Sequence, residues 1–119
     1  WVENLGQNGF EIHELPLEAQ FSPVYGFATH DFNGDGHKDI LAVGNFYGNQ
    51  PRMGKCDASF GNFLRGEGQG VFKAVDHRES GFAVYGEARD IQILHNRIQQ
   101  PLIIVSRNNA EIRLFKSNQ

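Results

Sequence analysis

The stretch Asp31-Phe32-Asn33-Gly34-Asp35-Gly36-His37-Lys38-Asp39 determines how the rest of the chain is interpreted. Side chains that carry oxygen atoms occupy positions 1, 3, 5 and 9 of this stretch. Alternate side chains of a tightly curled loop point inward, so these oxygens can converge on one hard cation, and the backbone carbonyl at position 7 can join them. The sequence therefore predicts a calcium site with the ligands Asp31, Asn33, Asp35, Asp39 and the carbonyl of His37.

The flanks of this loop differ from those of an EF-hand. An EF-hand has a bidentate glutamate at position 12, where this chain has Ala42, and a helix on each side. Here the loop leads into Ile40-Leu41-Ala42-Val43, a short apolar run that favours a strand. Asp, Asn and Gly are also common in solvated turns. Carboxylates held this close repel one another, however, and a divalent ion is the simplest compensation. The loop is interpreted as a strand–loop–strand calcium site.

With Phe27-Ala28-Thr29-His30 before it and the apolar run after it, the loop resembles an FG-GAP (VCBS-type) repeat. Integrin α-subunit propellers carry the same D-x-[DN]-x-D-G-x-x-D hairpin. The resemblance implies β-propeller blades, a structural Ca²⁺ and a secreted or cell-surface location, extracellular or periplasmic, with a role such as cell adhesion. Calcium affinities of roughly 10⁻⁴–10⁻³ M are usual for extracellular modules and agree with that location.

Length and composition indicate a folded β protein. The 119 residues amount to about one domain, and fourteen glycines and ten phenylalanines suit an all-β fold with many tight turns. The formal charge of −3 gives no basic footprint for nucleic acid. No apolar run approaches the ~20 residues that span a membrane. Because the chain opens on Trp1 rather than methionine, we expect a processed or excised piece.

Landmarks in the sequence recur with a period of about sixty residues. Val24-Tyr25-Gly26 recurs as Val84-Tyr85-Gly86, sixty positions later. A fixed period combined with strand content predicts propeller-type repeats, here the units 1–62 and 63–119 of one domain, 1–119. In the second unit, Asp90 to Arg97 is interpreted as a calcium loop that has lost its ligands. The predicted fold is all-β, with about two blade-like repeats of antiparallel strands belonging to a larger propeller.

Outside the calcium loop, the sequence predicts further strands but no catalytic set. Short apolar or alternating runs bounded by glycine or proline predict strands near 1–4, 10–13, 61–65, 71–75, 102–108 and 112–115. The five histidines lack the clustering of a transition-metal site and are interpreted as exposed or packing residues. Cys56 has no neighbouring base that would make it a nucleophile. Arg89 and Asp90 are expected to form a local ion pair.

Two functions are compatible with this pattern. The first is a binding module of an extracellular protein, in which calcium holds a propeller rigid for a protein or glycan ligand; aromatic residues clustered on an exposed rim would favour it. The alternative is part of a propeller-fold extracellular enzyme, a polysaccharide lyase or hydrolase, whose catalytic residues lie mostly outside this chain. Convergence of His30, Arg89 and a carboxylate in one pocket would favour the enzyme.

Two repeats are fewer than a propeller needs, because propellers close with ~4–8 blades. Apolar residues should then lack a neighbouring blade to cover them, and open strand edges should invite pairing with another chain. The residues expected to be uncovered are Val71, Val75, Ile103 and Val105. We therefore expect either a fragment of a larger propeller or a unit that self-associates.

Overall fold

The computed structural model describes residues 1–48, 52, 54–95 and 100–117. Regular structure in this part of the chain consists mainly of β-strands, so the predicted all-β class is confirmed. The strands are β1 (Val2–Asn4), β2 (Phe10–Ile12), β3 (Val24–His30), β4 (Asp39–Gly44), β5 (Asn62–Gly66), β6 (Phe72–Val75), β7 (Ala88–His95), β8 (Pro101–Arg107) and β9 (Ala110–Lys116). The helical elements are short: 3₁₀ turns at Gly6–Asn8 and Leu17–Gln20, and the helix α1 at His77–Ser80.

The strands form three antiparallel sheets whose neighbours are consecutive along the chain. The orders are β1-β2, β3-β4-β5-β6 and β7-β8-β9. Each predicted strand in the described residues has a counterpart in these sheets, with bounds that differ by one or two residues. The Gly-rich stretch from Gly66 to Gly70 joins β5 to β6 as a hairpin turn, as its composition predicts.

The hydrophobic core lies between the four-stranded and the three-stranded sheet. Leu41 and Val43 of β4 pack in one cluster with Ile91 of β7 and with Ile103 and Val105 of β8. Ile103 and Val105 are almost fully buried, so the prediction that they lack cover is wrong. The reason is that β8 is the central strand of its sheet, and its apolar residues are covered by the other sheet of the same chain.

The two larger sheets approach each other most closely where β3 meets β7. A Cβ atom placed on Gly26 would lie 3.2 Å from the Cα of Asp90 and 3.2 Å from the backbone nitrogen of Ile91. A glycine in a strand interior often marks such a close approach of two backbones. Gly26 therefore allows β3 and β7 to lie side by side, which brings the first hairpin of each sheet together.

The structure corrects the interpretation of the second repeat. Residues 90–95, taken as the start of a degenerate calcium loop, belong to strand β7, while Asn96 and Arg97 lie outside the described residues. Apolar and polar residues alternate along Asp90-Ile91-Gln92-Ile93, which is a strand pattern, and Ile91 is buried in the core. Val84-Tyr85-Gly86 precedes β7, whereas Val24-Tyr25-Gly26 lies inside β3.

Two local features differ from the sequence-based expectation. The helix α1 was not foreseen, although Asp76 caps it by accepting a hydrogen bond of 2.8 Å from the backbone N–H of Arg78. The expected Arg89–Asp90 ion pair is wrong, because Arg89 instead pairs with Glu87 at 2.7 Å. Side chains of adjacent residues in a strand point to opposite faces, whereas residues two apart share a face. No helix in the described part of the chain could cross a bilayer.

Candidate metal centre

The predicted calcium loop forms the tip of the β3–β4 hairpin. It begins directly after His30, the last residue of β3, and ends at Asp39, the first residue of β4. Gly36 has a φ of 87°, in the left-handed region that glycine adopts without steric cost. The sharp turn expected at this glycine is therefore present in the structure.

Asp31 organises the first half of the loop by accepting hydrogen bonds from three backbone N–H groups. One carboxylate oxygen accepts from Gly34 at 2.7 Å and from Asp35 at 3.1 Å, and the other accepts from Gly36 at 2.9 Å. These bonds stabilise a turn of the backbone around the Asp31 side chain, as expected of a short polar residue that accepts hydrogen bonds from the backbone of its own turn. The loop is thereby curled around its first predicted ligand.

Asn33 and Asp35 are exposed and contact each other at the outer side of the loop. The Asn33 amide donates to an Asp35 carboxylate oxygen at 2.8 Å, and the backbone N–H of His37 donates to the other at 2.8 Å. The His37 N–H is the main cause of a lowered pKa of Asp35, and the Asn33 amide is the next. Both bonds favour the ionised carboxylate, so Asp35 carries its negative charge at neutral pH, as a calcium ligand must.

Asp39 differs from the other predicted ligands because it is fully buried. Its two carboxylate oxygens accept from the backbone N–H groups of Phe32, at 2.9 Å, and of Gly66, at 2.8 Å. Burial raises the pKa of Asp39, and the nearby Asp35 and Asp31 charges raise it further, while the two backbone bonds lower it. Asp39 thus connects the loop to the far end of β5 and also places a third carboxylate on the hairpin.

The loop holds its carboxylates on one hairpin tip without gathering them at a single point. Within the described residues, the ligand atoms of Asp31, Asp35 and Asp39 do not all lie within 4.8 Å of one another. Three negative charges repel when no cation lies between them. The structure thus brings the predicted side chains to the same turn but does not bring their ligand atoms together.

The donor set of this loop fits Ca²⁺. It consists of oxygen atoms, from three carboxylates, one amide and one backbone carbonyl, which are the ligands that calcium takes in proteins. A carboxylate oxygen has more than one lone pair, so an oxygen that accepts an N–H bond can also bind a metal ion. Asn33 and Asp35 are exposed to solvent, which gives an ion direct access. The ion would neutralise the loop and fix its turn.

A second cluster of metal-binding residue types lies on the β1–β2 hairpin and was not foreseen. Ligand atoms of Glu3, Glu11 and His13 lie within 4.8 Å of one another. The signal was present in the sequence, because Glu11 and His13 alternate with apolar residues and so share a face of the predicted strand. The His13 ring contacts Glu3 at 3.1 Å and stacks on Trp1 at 4.3 Å. His13 is thus a packing residue, as predicted.

The residues that would favour an enzyme do not converge in the described part of the chain. The His30 ring packs against Phe32 at 5.4 Å and against His95 at 5.6 Å, near the end of β7. Arg89 lies near the start of β7, where its guanidinium lies 4.3 Å from the ring centre of Tyr25. His30 is therefore a packing residue, and it lies at the opposite end of the β3–β7 contact from Arg89.

No model of a protein family, no curated protein and no solved structure matches this chain.

Proposed function

We propose that the chain is a calcium-binding β-propeller repeat module of a secreted or cell-surface protein, in which a structural Ca²⁺ stabilises a surface that binds a protein or a glycan. The observation that carries this proposal is the position of the oxygen-bearing loop at the tip of the β3–β4 hairpin, with Asp39 bonded to the far end of β5. An ion bound there would fix three strands of one sheet relative to one another, because metal binding and folding are coupled.

The repeat part of the proposal is supported by a feature shared between the two larger sheets. The β3–β4 pair has a register shift between Val24 and Gly26, and the β7–β8 pair has one between Ala88 and Asp90. The two irregularities occupy the same place in their hairpins, at the start of the first strand. The two register shifts lie 64 residues apart, whereas the Val-Tyr-Gly landmarks in the sequence lie 60 apart. Two successive blades would produce such a pair of matching irregularities.

The calcium site is tested by isothermal titration calorimetry of chelator-stripped protein. We expect one Ca²⁺ per chain and a higher melting temperature in millimolar calcium. Asp35→Ala should weaken binding at least about tenfold, because even a group that only supports a metal ligand is worth that much. Asp57→Ala removes the same charge from an exposed residue elsewhere and serves as the control. The absence of both binding heat and a melting shift would refute the calcium proposal. Equal calcium affinities of the two variants would refute it as well.

A further inference from the structure

One buried side chain, Asn45, joins three segments that are distant in sequence. Asn45 directly follows β4, and its Oδ1 accepts hydrogen bonds from the Ser22 hydroxyl at 2.8 Å and from the Ser59 N–H at 3.2 Å. Its Nδ2 donates to the carbonyls of Ser59, at 2.7 Å, and of Gly86, at 3.0 Å. The amide group therefore uses both its oxygen and its nitrogen, and it holds the backbone of Ser59 and Gly86 and the side chain of Ser22.

Each of these three segments presents an aromatic ring immediately beside the bonded residue. Phe21 precedes Ser22, Phe60 follows Ser59 and Tyr85 precedes Gly86; we call these three aromatic residues the aromatic rim. They are 54%, 43% and 49% exposed. The rings of Phe60 and Tyr85 lie 5.1 Å apart. Aromatic rings so exposed, each beside a residue that is hydrogen-bonded to the buried Asn45, indicate a preorganised binding surface.

Phe21 and Phe60 also line a cavity of about 340 Å³, which we call the rim cavity. Its size lies within the range of small-molecule sites. Five residues with polar side chains line it as well: Glu18, Ser59, Asn62, Asp76 and His77. Within the described residues, the side chains of Glu18 and Asn62 take part in no hydrogen bond or ion pair, so their polar atoms are available to a ligand.

The combination of rings, carboxylates and an amide suits a neutral saccharide. The face of an aromatic ring is negative and attracts the polarised C–H groups on one face of a sugar ring. Ionised carboxylates only accept hydrogen bonds, so they match sugar hydroxyl donors, and an amide can both donate and accept. Two carboxylates would repel an anionic glycan. We propose that the rim cavity and the aromatic rim bind a short neutral saccharide.

This inference rests on the binding role in the proposed function and names its ligand class, but it does not depend on the calcium ion. Strand β4 has the predicted calcium ligand Asp39 at one end and is followed at the other end by Asn45. A strand of this length is roughly 20 Å long, so the ion and the sugar would occupy separate places. Their binding can therefore be measured separately on the same protein.

The test is calorimetric and NMR titration of the full chain with cellobiose, maltose, lactose and N,N′-diacetylchitobiose, with sialyllactose as the anionic comparison. We expect at least one neutral disaccharide to bind and sialyllactose not to bind. Phe60→Ala should weaken binding by about tenfold or more, whereas Phe60→Tyr, which keeps the ring, should retain it. Phe10→Ala removes a ring that is more exposed but lies outside the cavity, and it should have no effect.

Each remaining outcome decides the inference. No binding of any neutral disaccharide at millimolar concentration would overturn it, as would preferential binding of sialyllactose. Equal affinities of the Phe60→Ala and Phe10→Ala proteins would also overturn it, since circular dichroism melting identifies any variant that has unfolded. A rerun in chelator separates the two proposals: saccharide binding without calcium binding refutes only the calcium site, and calcium binding without saccharide binding refutes only the saccharide site.

Discussion

The buried carboxylate of Asp39 accepts a hydrogen bond of 2.8 Å from the backbone N–H of Gly66, which is 27 residues further along the chain. The second oxygen of the same carboxylate accepts from Phe32 inside the loop, at 2.9 Å. One side chain thus closes the loop at the hairpin tip and attaches it to the end of β5. Both partners of this link are backbone groups, so the side chain at position 39 should matter for folding as well as for calcium.

Asp39→Ala should destabilise the protein even when calcium is absent. Removing the carboxylate leaves the buried N–H group of Gly66 and the partly buried N–H group of Phe32 without their acceptor. An unsatisfied buried donor costs about 1–3 kcal/mol, so we expect the free energy of unfolding to fall by roughly 2–4 kcal/mol. Urea denaturation in the presence of a chelator measures this loss. Asp57→Ala, at an exposed residue, is the control, and equal denaturation midpoints of the two variants would contradict the prediction.

A second carboxylate, that of Glu87, connects segments on the other side of the molecule. It accepts from the backbone N–H of Tyr47 at 2.7 Å, from Arg89 at 2.7 Å and from the Asn108 amide at 2.9 Å. The Asn108 hydrogen bond is the main cause of a pKa below the usual 4.5, followed by the bond from Tyr47. A lowered pKa in the folded state stabilises the protein above the unfolded-state value, and the benefit is lost as the pH falls through the folded-state value.

Glu87→Gln should therefore reduce stability most at neutral pH. The difference in melting temperature between the natural protein and the variant should shrink below about pH 4.5, because the Glu87 carboxylate loses its charge as the pH falls through its lowered pKa. Melting curves recorded between about pH 3 and pH 7 test this expectation. Glu111→Gln, in the exposed strand β9, provides the comparison. A constant difference across the whole pH range would show that the Glu87 charge is not the cause.

Two substitutions of Asn45 separate the contribution of its buried hydrogen bonds to the free energy of unfolding from the contribution of its backbone strain. Its φ of 84° lies in the left-handed region, where a residue with a side chain is strained and glycine is not. Asn45→Ala removes the acceptor and the donor and keeps the strain, so we expect a loss of about 2–4 kcal/mol in unfolding free energy. Asn45→Gly should lose about 1 kcal/mol less. Urea denaturation measures both, and equal losses in the two variants would mean that backbone conformation contributes nothing.

The β3–β4 hairpin could be predicted from the sequence because all its signals are local. The oxygen-bearing residues, Gly36 and the following apolar run lie within fourteen positions, and the structure places them in one hairpin. The same holds for β5 and β6, which are separated by a glycine-rich turn. The helix α1 was also within reach, since Asp76 followed three residues later by Glu79 is a capping pattern. At four residues the helix is too short to show a helical period in the sequence.

The features that could not be predicted depend on contacts between distant residues. The partners of Asn45 lie 14, 23 and 41 residues away, so nothing in the neighbouring sequence identifies it as the centre of a network. The second repeat was misplaced for a related reason. Matching Val24-Tyr25-Gly26 to Val84-Tyr85-Gly86 assigned Asp90 to a loop, whereas the bulges in the two sheets align Gly26 with Asp90 itself. Strand register depends on pairing, which a short string does not reveal.

Strand β9 is where we now expect the chain to self-associate. Within the described residues it pairs with β8 alone and forms one edge of its sheet, as β6 does in the four-stranded sheet. Ile112 and Leu114 of β9 are both more than half exposed, and an edge strand with exposed apolar residues is a template for pairing with another chain.

Ile112→Lys should lower the average mass measured by light scattering at micromolar concentration, because it places a charge on that edge. Leu17→Lys adds the same charge to an exposed residue of the 3₁₀ turn Leu17–Gln20 and should leave the mass unchanged. A natural protein that is monomeric at every concentration, or two variants with equal masses, would show that the β9 edge is not used.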